Sequence, residues 1–283
     1  MSTAKYPGKA LIAFLVLGNI GLWVAFPPAD DGTRPDFFRQ YLGEMIGATM
    51  MLLMAVALLL STRLRFLEPL FGGLDKVYAA HRNIGIIAGL PLPLHFLVVP
   101  LAEEIPPGRA PGYIAFGGLL ALILLSLAPR LPVVRKLIRI PYRGWRISHR
   151  FIGIFFIMGT AHMLLVDALV RTTVVPFAVL MAAIATGIAS YVYTEFIAKF
   201  LRRKAVYQVR EVNRLTPTAV EIVLQPVKKP LKFTAGQFAF VRFKGNRVLS
   251  EPHPFTISSS LKENNLRLTI RASGDYTHIC TII

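Results

Sequence analysis

A chain of 283 residues with 54% hydrophobic and only 17% charged side chains departs from the balance of a soluble domain, in which about a quarter of residues carry charge. The formal charge of +17 does not indicate nucleic acid, because the bases flank apolar runs instead of forming a stripe interleaved with aromatics; membrane topology and anionic lipid account for them. A single cysteine, Cys280, excludes an intramolecular disulfide and a cysteine-ligated iron–sulfur cluster.

Six apolar runs long enough to cross a hydrocarbon core follow one another at residues 10–26, 41–60, 81–101, 113–127, 149–166 and 174–197, the fourth being the shortest. The first follows Lys5 and Lys9, but no small-residue cleavage site precedes Pro27 and Pro28, so it reads as a retained helix. Between the second and third runs lie Arg63, Arg65, Lys76 and Arg82, and between the fourth and fifth lie Arg130, Arg135, Lys136, Arg139, Arg143 and Arg146 with no acid among them. The opposite loops carry Asp30, Asp31, Asp36, Glu103, Glu104 and Asp167. The positive-inside rule therefore predicts a multi-pass protein of the cell (inner) membrane with both termini cytoplasmic. Glu44 is an acid within the second run, where a proton- or acceptor-site role and a harmless interfacial position are both open.

Two of the runs carry paired histidines: His81 and His95 on the third, His149 and His162 on the fifth. One histidine on an apolar face is more often a core residue than a ligand. Four are another matter, since an imidazole within the bilayer is costly unless partnered and neutral imidazole is a favoured axial ligand of haem iron. At about 1.5 Å rise per residue each pair spans about 20 Å along the membrane normal, the spacing of two stacked haems. His81 and His95 return to within about 40° of one face of an ideal helix, whereas His149 and His162 fall about 140° apart, so the fifth helix is expected to be tilted or overwound. Phe155 lies between the two levels, as a bridge or as packing. Gly85 and Gly89 suit a porphyrin or a neighbouring helix, and Arg143, Arg146 and Arg150 suit propionates or lipid.

After Arg202, Arg203 and Lys204 the texture changes to short alternating segments, with strands predicted at 219–224, 238–243 and 266–271. The expected domains are residues 1–202 and 203–283. The fold class is then a membrane all-α six-helix bundle, di-haem, followed by a partial antiparallel β-barrel.

Helices bearing histidines at these two spacings resemble the ferric reductase and NADPH oxidase superfamily, whose third and fifth transmembrane helices hold two b-type haems. Gly72-Gly73-Leu74-Asp75-Lys76, leading to His81-Arg82, is similar to the start of that third helix. Pro252-His253-Pro254-Phe255-Thr256-Ile257-Ser258-Ser259 resembles the family's H-P-F-T motif for FAD, Gly236-Gln237-Phe238 the strand before it, and Ile270-Arg271 with Gly274-Asp275-Tyr276-Thr277 the phosphate-side segment. The resemblance implies haem ligation by His81 with His149 near the inner face and by His95 with His162 near the outer face. It also implies FAD binding by His253, Pro254, Phe255, Thr256, Ser258, Arg271, Gly274 and Thr277. No catalytic side chain is singled out.

By the same resemblance, NAD(P)H is the cytoplasmic donor and ferric iron or dioxygen the external acceptor. The animal oxidases carry an arginine within the second helix, and none occurs here between Arg39 and Arg63, which counts against dioxygen. No G-x-G-x-x-G of a nicotinamide-binding domain occurs, so the chain is expected to be a fragment or to depend on a separate reductase domain or subunit. A haem-containing electron-transfer subunit feeding a partner protein is the alternative reading. A proton-relaying transporter is a third, against which the flavin-like tail argues.

Overall fold

The computed structural model describes residues 6–101, 105–128, 142–201, 205–244, 248–250 and 252–282, and the chain divides into two compact units, Met1–Leu201 and Arg202–Ile283. Lys5, Glu103, Glu104, Arg130, Arg135, Lys136, Arg139, Arg202, Arg203, Lys204 and the side chain of Arg143, on which part of the topology and boundary reading rests, lie outside what is described.

The first unit is built from α1 (Gly8–Ala25), α2 (Phe37–Ser61), α3 (Leu67–Phe71), α4 (Leu74–Gly89), α5 (Pro91–Val98), α6 (Arg109–Leu127), α7 (Tyr142–His149), α8 (Ile152–Leu165) and α9 (Val174–Val192), which continues through a π-turn at Tyr193–Ile197 into α10 (Ala198–Leu201). Among the described residues five helical segments are long and apolar enough to cross a membrane: Gly8–Ala25, Phe37–Ser61, Arg109–Leu127, Gly144–Leu165 and Val174–Leu201. The third of the six expected runs is not among them, because it is divided between α4 and α5, neither of which is of membrane length. Pro91 and Pro93 have no N–H with which to continue the α4 ladder. The Leu90 N–H turns instead to the Ile87 carbonyl, three residues back, while Leu90 keeps helical dihedrals of φ −70° and ψ −45°.

The fifth run is also interrupted. Arg150 and Phe151 donate to Ile147 and Ser148, again three residues back, so the α7–α8 junction is wound more tightly than an α-helix. That is the direction the spacing of His149 and His162 demands.

Helix α2 is the hub of the unit, with 56% of its apolar window buried against 17% for α1, α6 and the α7–α8 segment. Polar staples attach α1 to it: the Asn19 amide donates to Thr49 Oγ1 at 3.0 Å and the Tyr41 hydroxyl to the Trp23 carbonyl at 2.9 Å. On the other side Phe156, fully buried, lies against Gly187 of α9, where a Cβ would come within 2.6 Å of the ring.

The second unit contains β1 (Tyr207–Thr216), β2 (Ala219–Pro226), β3 (Phe238–Val241), β4 (His253–Thr256), β5 (Leu266–Arg271) and α11 (Asp275–Ile282). An antiparallel sheet in the order β1-β2-β5 and an antiparallel pair β3-β4 are linked by a bridge between Ile257 and Leu268. Strand alternation sends Leu266, Leu268 and Ile270 into a core with Val220, Ile222, Phe255 and Cys280. Arg267, Thr269 and Arg271 stand on the other face of β5.

Glu44 is held as a structural group. Its Oε1 accepts from Leu169 N–H at 2.8 Å and from the Gln40 amide at 2.9 Å, and its Oε2 accepts from Val170 N–H at 2.9 Å. Leu169 and Val170 are buried, so Glu44→Ala strands two backbone donors, each costing about 1–3 kcal/mol. The variant should unfold at a clearly lower temperature than the wild type in detergent. An unchanged unfolding temperature would show that the turn after α8 finds other acceptors.

Candidate functional site

The four histidines meet in two pairs drawn from different helices. His81 of α4 and His149 at the end of α7 have ring centres 6.2 Å apart and planes at 81°; His95 of α5 and His162 of α8 are 6.3 Å apart at 82°. No cluster of three or more His, Cys, Asp or Glu side chains with metal-binding geometry forms among the described residues. Each pair of histidines offers two imidazole donors.

Three of the four rings are fixed through Nδ1. His81 Nδ1 lies 2.8 Å from the Ala57 carbonyl, His95 Nδ1 2.8 Å from the Gly43 carbonyl, and His162 Nδ1 2.9 Å from the Gly108 carbonyl. A carbonyl only accepts, so each Nδ1 carries the proton and donates it. The lone pair is left on Nε2, the state in which imidazole serves as a metal ligand.

Two of these acceptors, Gly43 and Ala57, are on α2 with the same 14-residue separation as His95 and His81. One helix, α2, thus orients the histidines of both α4 and α5. His149 differs: its Nδ1 is buried with no hydrogen-bond partner, and the Trp145 indole stacks on its ring at 5.0 Å and 25°.

Small residues make room for His95 and His162. A Cβ on Gly47 would lie 3.0 Å from the His95 ring, and one on Gly112 would lie 2.6 Å from His162 Nδ1. Each of these two histidines is therefore seated on a G-x3-G, Gly43/Gly47 or Gly108/Gly112, whose first glycine supplies the carbonyl and whose second supplies the space.

The pair singled out from sequence, Gly85 and Gly89, is divided in role. A Cβ on Gly89 would lie 3.4 Å from the Ile123 side chain, which is helix packing, while one on Gly85 would meet nothing within 4 Å. Phe155 packs on Gly118 of α6, where a Cβ would fall 2.2 Å from its ring. The Arg150 guanidinium is engaged by the Glu195 carboxylate on the π-turn.

In the second unit a cavity of about 270 Å³ is lined by Pro254, Phe255, Thr256, Thr269, Ile270, Arg271, Ser273 and Thr277. Whole-ligand sites run to about 300–1,000 Å³, so this space suits one portion of a dinucleotide. Five of the residues expected at a flavin site, Pro254, Phe255, Thr256, Arg271 and Thr277, line it together. The other three stand around it. His253 stacks on Tyr276 with ring centres 3.5 Å apart, Ser258 Oγ accepts from Thr269 Oγ1 at 3.2 Å, and Gly274 N–H donates to Thr277 Oγ1 at 3.0 Å.

Sequence reasoning missed Thr269 and Ser273, which neighbour the motif residues on β5 and its following turn, and Trp145. It also missed the G-x3-G steps at Gly43/Gly47 and Gly108/Gly112, although their spacing was visible.

Comparison with known families agrees with this division of the chain. Residues 46–160 match the family model of the ferric reductase like transmembrane component, and residues 205–282 match that of an FAD-binding domain. No individually curated protein matches the chain. A transmembrane component of the first kind followed on one polypeptide by an FAD-binding domain of the second matches the architecture of the ferric reductase/NADPH oxidase superfamily.

Proposed function

We propose that the protein carries electrons from cytoplasmic NAD(P)H, through FAD on the second unit and two b-type haems in the helical unit, to ferric iron or dioxygen on the opposite face of the membrane. The separation of the imidazoles supports this most. Two imidazoles that held one metal ion between them, with metal–nitrogen bonds of about 2 Å and about 1.1 Å from each nitrogen to its ring centre, would have centres about 6.2 Å apart. The two pairs measure 6.2 and 6.3 Å.

The second unit would hold a flavin able to convert a hydride into single electrons, and the four histidines would hold haem iron able to carry them one at a time. The chain's part is to hold, orient and insulate. Donation from Nδ1 to Ala57, Gly43 and Gly108 fixes three ring planes and strengthens Nε2 as a ligand.

Helices α4 and α5 act as one crossing despite their break, completing six, with both termini in the cytoplasm and the domain boundary at residues 202–203. In the second unit Arg271 pairs with pyrophosphate. Thr256 and Ser258 hold the flavin by their hydroxyls, and His253, Pro254, Phe255, Gly274 and Thr277 shape the walls. The absence of a cation in α2 between Arg39 and Arg63 favours ferric iron over dioxygen.

His95→Ala should lose about one haem per chain and keep the inner one, read by pyridine haemochrome assay on purified protein. Full haem content in all four single histidine-to-alanine variants would refute the ligand assignment.

Arg271→Ala should weaken FAD binding more than tenfold in the intact protein, since a charge-assisted hydrogen bond contributes about 1.5–3 kcal/mol. An unchanged FAD dissociation constant would remove Arg271 from the site.

The direction of transfer is tested in sealed vesicles of known orientation. NAD(P)H supplied on the flavin side should reduce a membrane-impermeant ferric chelate enclosed on the other. Reduction confined to the donor side would leave a membrane-anchored flavin reductase with no transmembrane path.

A further inference from the structure

The inner and outer histidine pairs are not held alike. Both outer rings donate through Nδ1 to a backbone carbonyl, as does His81. Only His149 has its Nδ1 buried and unpartnered, so nothing polar fixes its rotation about the Cβ–Cγ bond. The side chain against it is Trp145, one helical turn earlier on α7, whose ring lies 5.0 Å from the imidazole and within 25° of parallel.

The indole is itself anchored. Trp145 Nε1 donates to Ser126 Oγ of α6 at 3.1 Å, and Ser126 donates onward to the Leu122 carbonyl at 2.8 Å.

We infer that Trp145 is the positioning residue of the inner site: its indole, tethered to α6 through Ser126, sets the plane of the His149 ring by stacking in place of the hydrogen bond used by the other three. Stacking restrains orientation without adding electron density to the ring. A hydrogen bond from Nδ1 does add it. His149 is therefore the weakest donor of the four, and the inner pair combines a strengthened ligand with an unstrengthened one.

The angle between two axial imidazole planes governs the electronic state of the ferric ion between them. Freeing one ring shows in the spectrum and the potential of that centre alone.

The inference rests on the haem reading above, and its test keeps the two apart. Intact protein carrying wild-type, Trp145→Leu, Trp145→Phe or Ser126→Ala sequence is purified with its haem. Haem content, the low-temperature electron paramagnetic resonance spectrum and a redox titration are then recorded, with His149→Ala marking which signal is the inner one.

Trp145→Leu should shift the low-spin signal and midpoint potential of the inner centre while leaving the outer unchanged. Trp145→Phe, which keeps an aromatic face, should return both towards wild type. Ser126→Ala should broaden or shift the inner signal only.

Wild-type signals from both centres in Trp145→Leu would overturn the inference. If that variant does not fold, wild-type signals in Ser126→Ala would overturn it. A wild-type protein without haem would instead overturn the reading on which it rests.

Discussion

An imidazole inside the hydrocarbon region has two nitrogens to satisfy, and no water is there to do it. The helical unit meets that constraint by turning backbone carbonyls into side-chain acceptors. Each carbonyl has a second lone pair beyond the one used in the helix ladder. Gly43 and Ala57 of α2 and Gly108 at the start of α6 give theirs to His95, His81 and His162. The centrality of α2 follows: it is the most buried of the crossing helices because two rings, at two depths, must reach it.

The helices are imperfect for two different reasons. Prolines part α4 from α5 at Leu90–Pro91, whereas the 13-residue spacing of His149 and His162 would leave them about 140° apart on a straight helix; α7 and α8 are parted at Arg150–Phe151, and at both junctions hydrogen bonds reach three residues back. Close approach to two of the imidazoles comes from glycines, with Gly47 under His95 and Gly112 under His162. Glu44 ties α2 to the turn that follows α8, accepting through both carboxylate oxygens.

In the flavin-binding unit the organising element is β5. Its inward residues Leu266, Leu268 and Ile270 build the core, and its outward residues Thr269 and Arg271 reach the cavity shared with Thr256 of β4 and Thr277 of α11. Motif residues separated by the β4–β5 connection come together because the Ile257–Leu268 bridge joins the two sheets. The motif is thus a consequence of sheet register as much as of local sequence.

Much of this was legible in the chain by itself. Apolar length identified a membrane protein, the spacings of His81/His95 and His149/His162 pointed to two levels, and the change of texture after residue 204 with the H-P-F-T string marked the FAD-binding domain, because each of these depends on side-chain identity at fixed separations. The tertiary structure alone decided which carbonyl meets which imidazole, since every residue carries a carbonyl and nothing in the side-chain order of α2 marks Ala57 as an acceptor. It also decided that the third run is a broken helix, a competition between prolines and apolar length. Last, it set Trp145 against His149, because whether an aromatic four residues away stacks or turns outward depends on what the facing helix offers its N–H, and here Ser126 on α6 offers an oxygen.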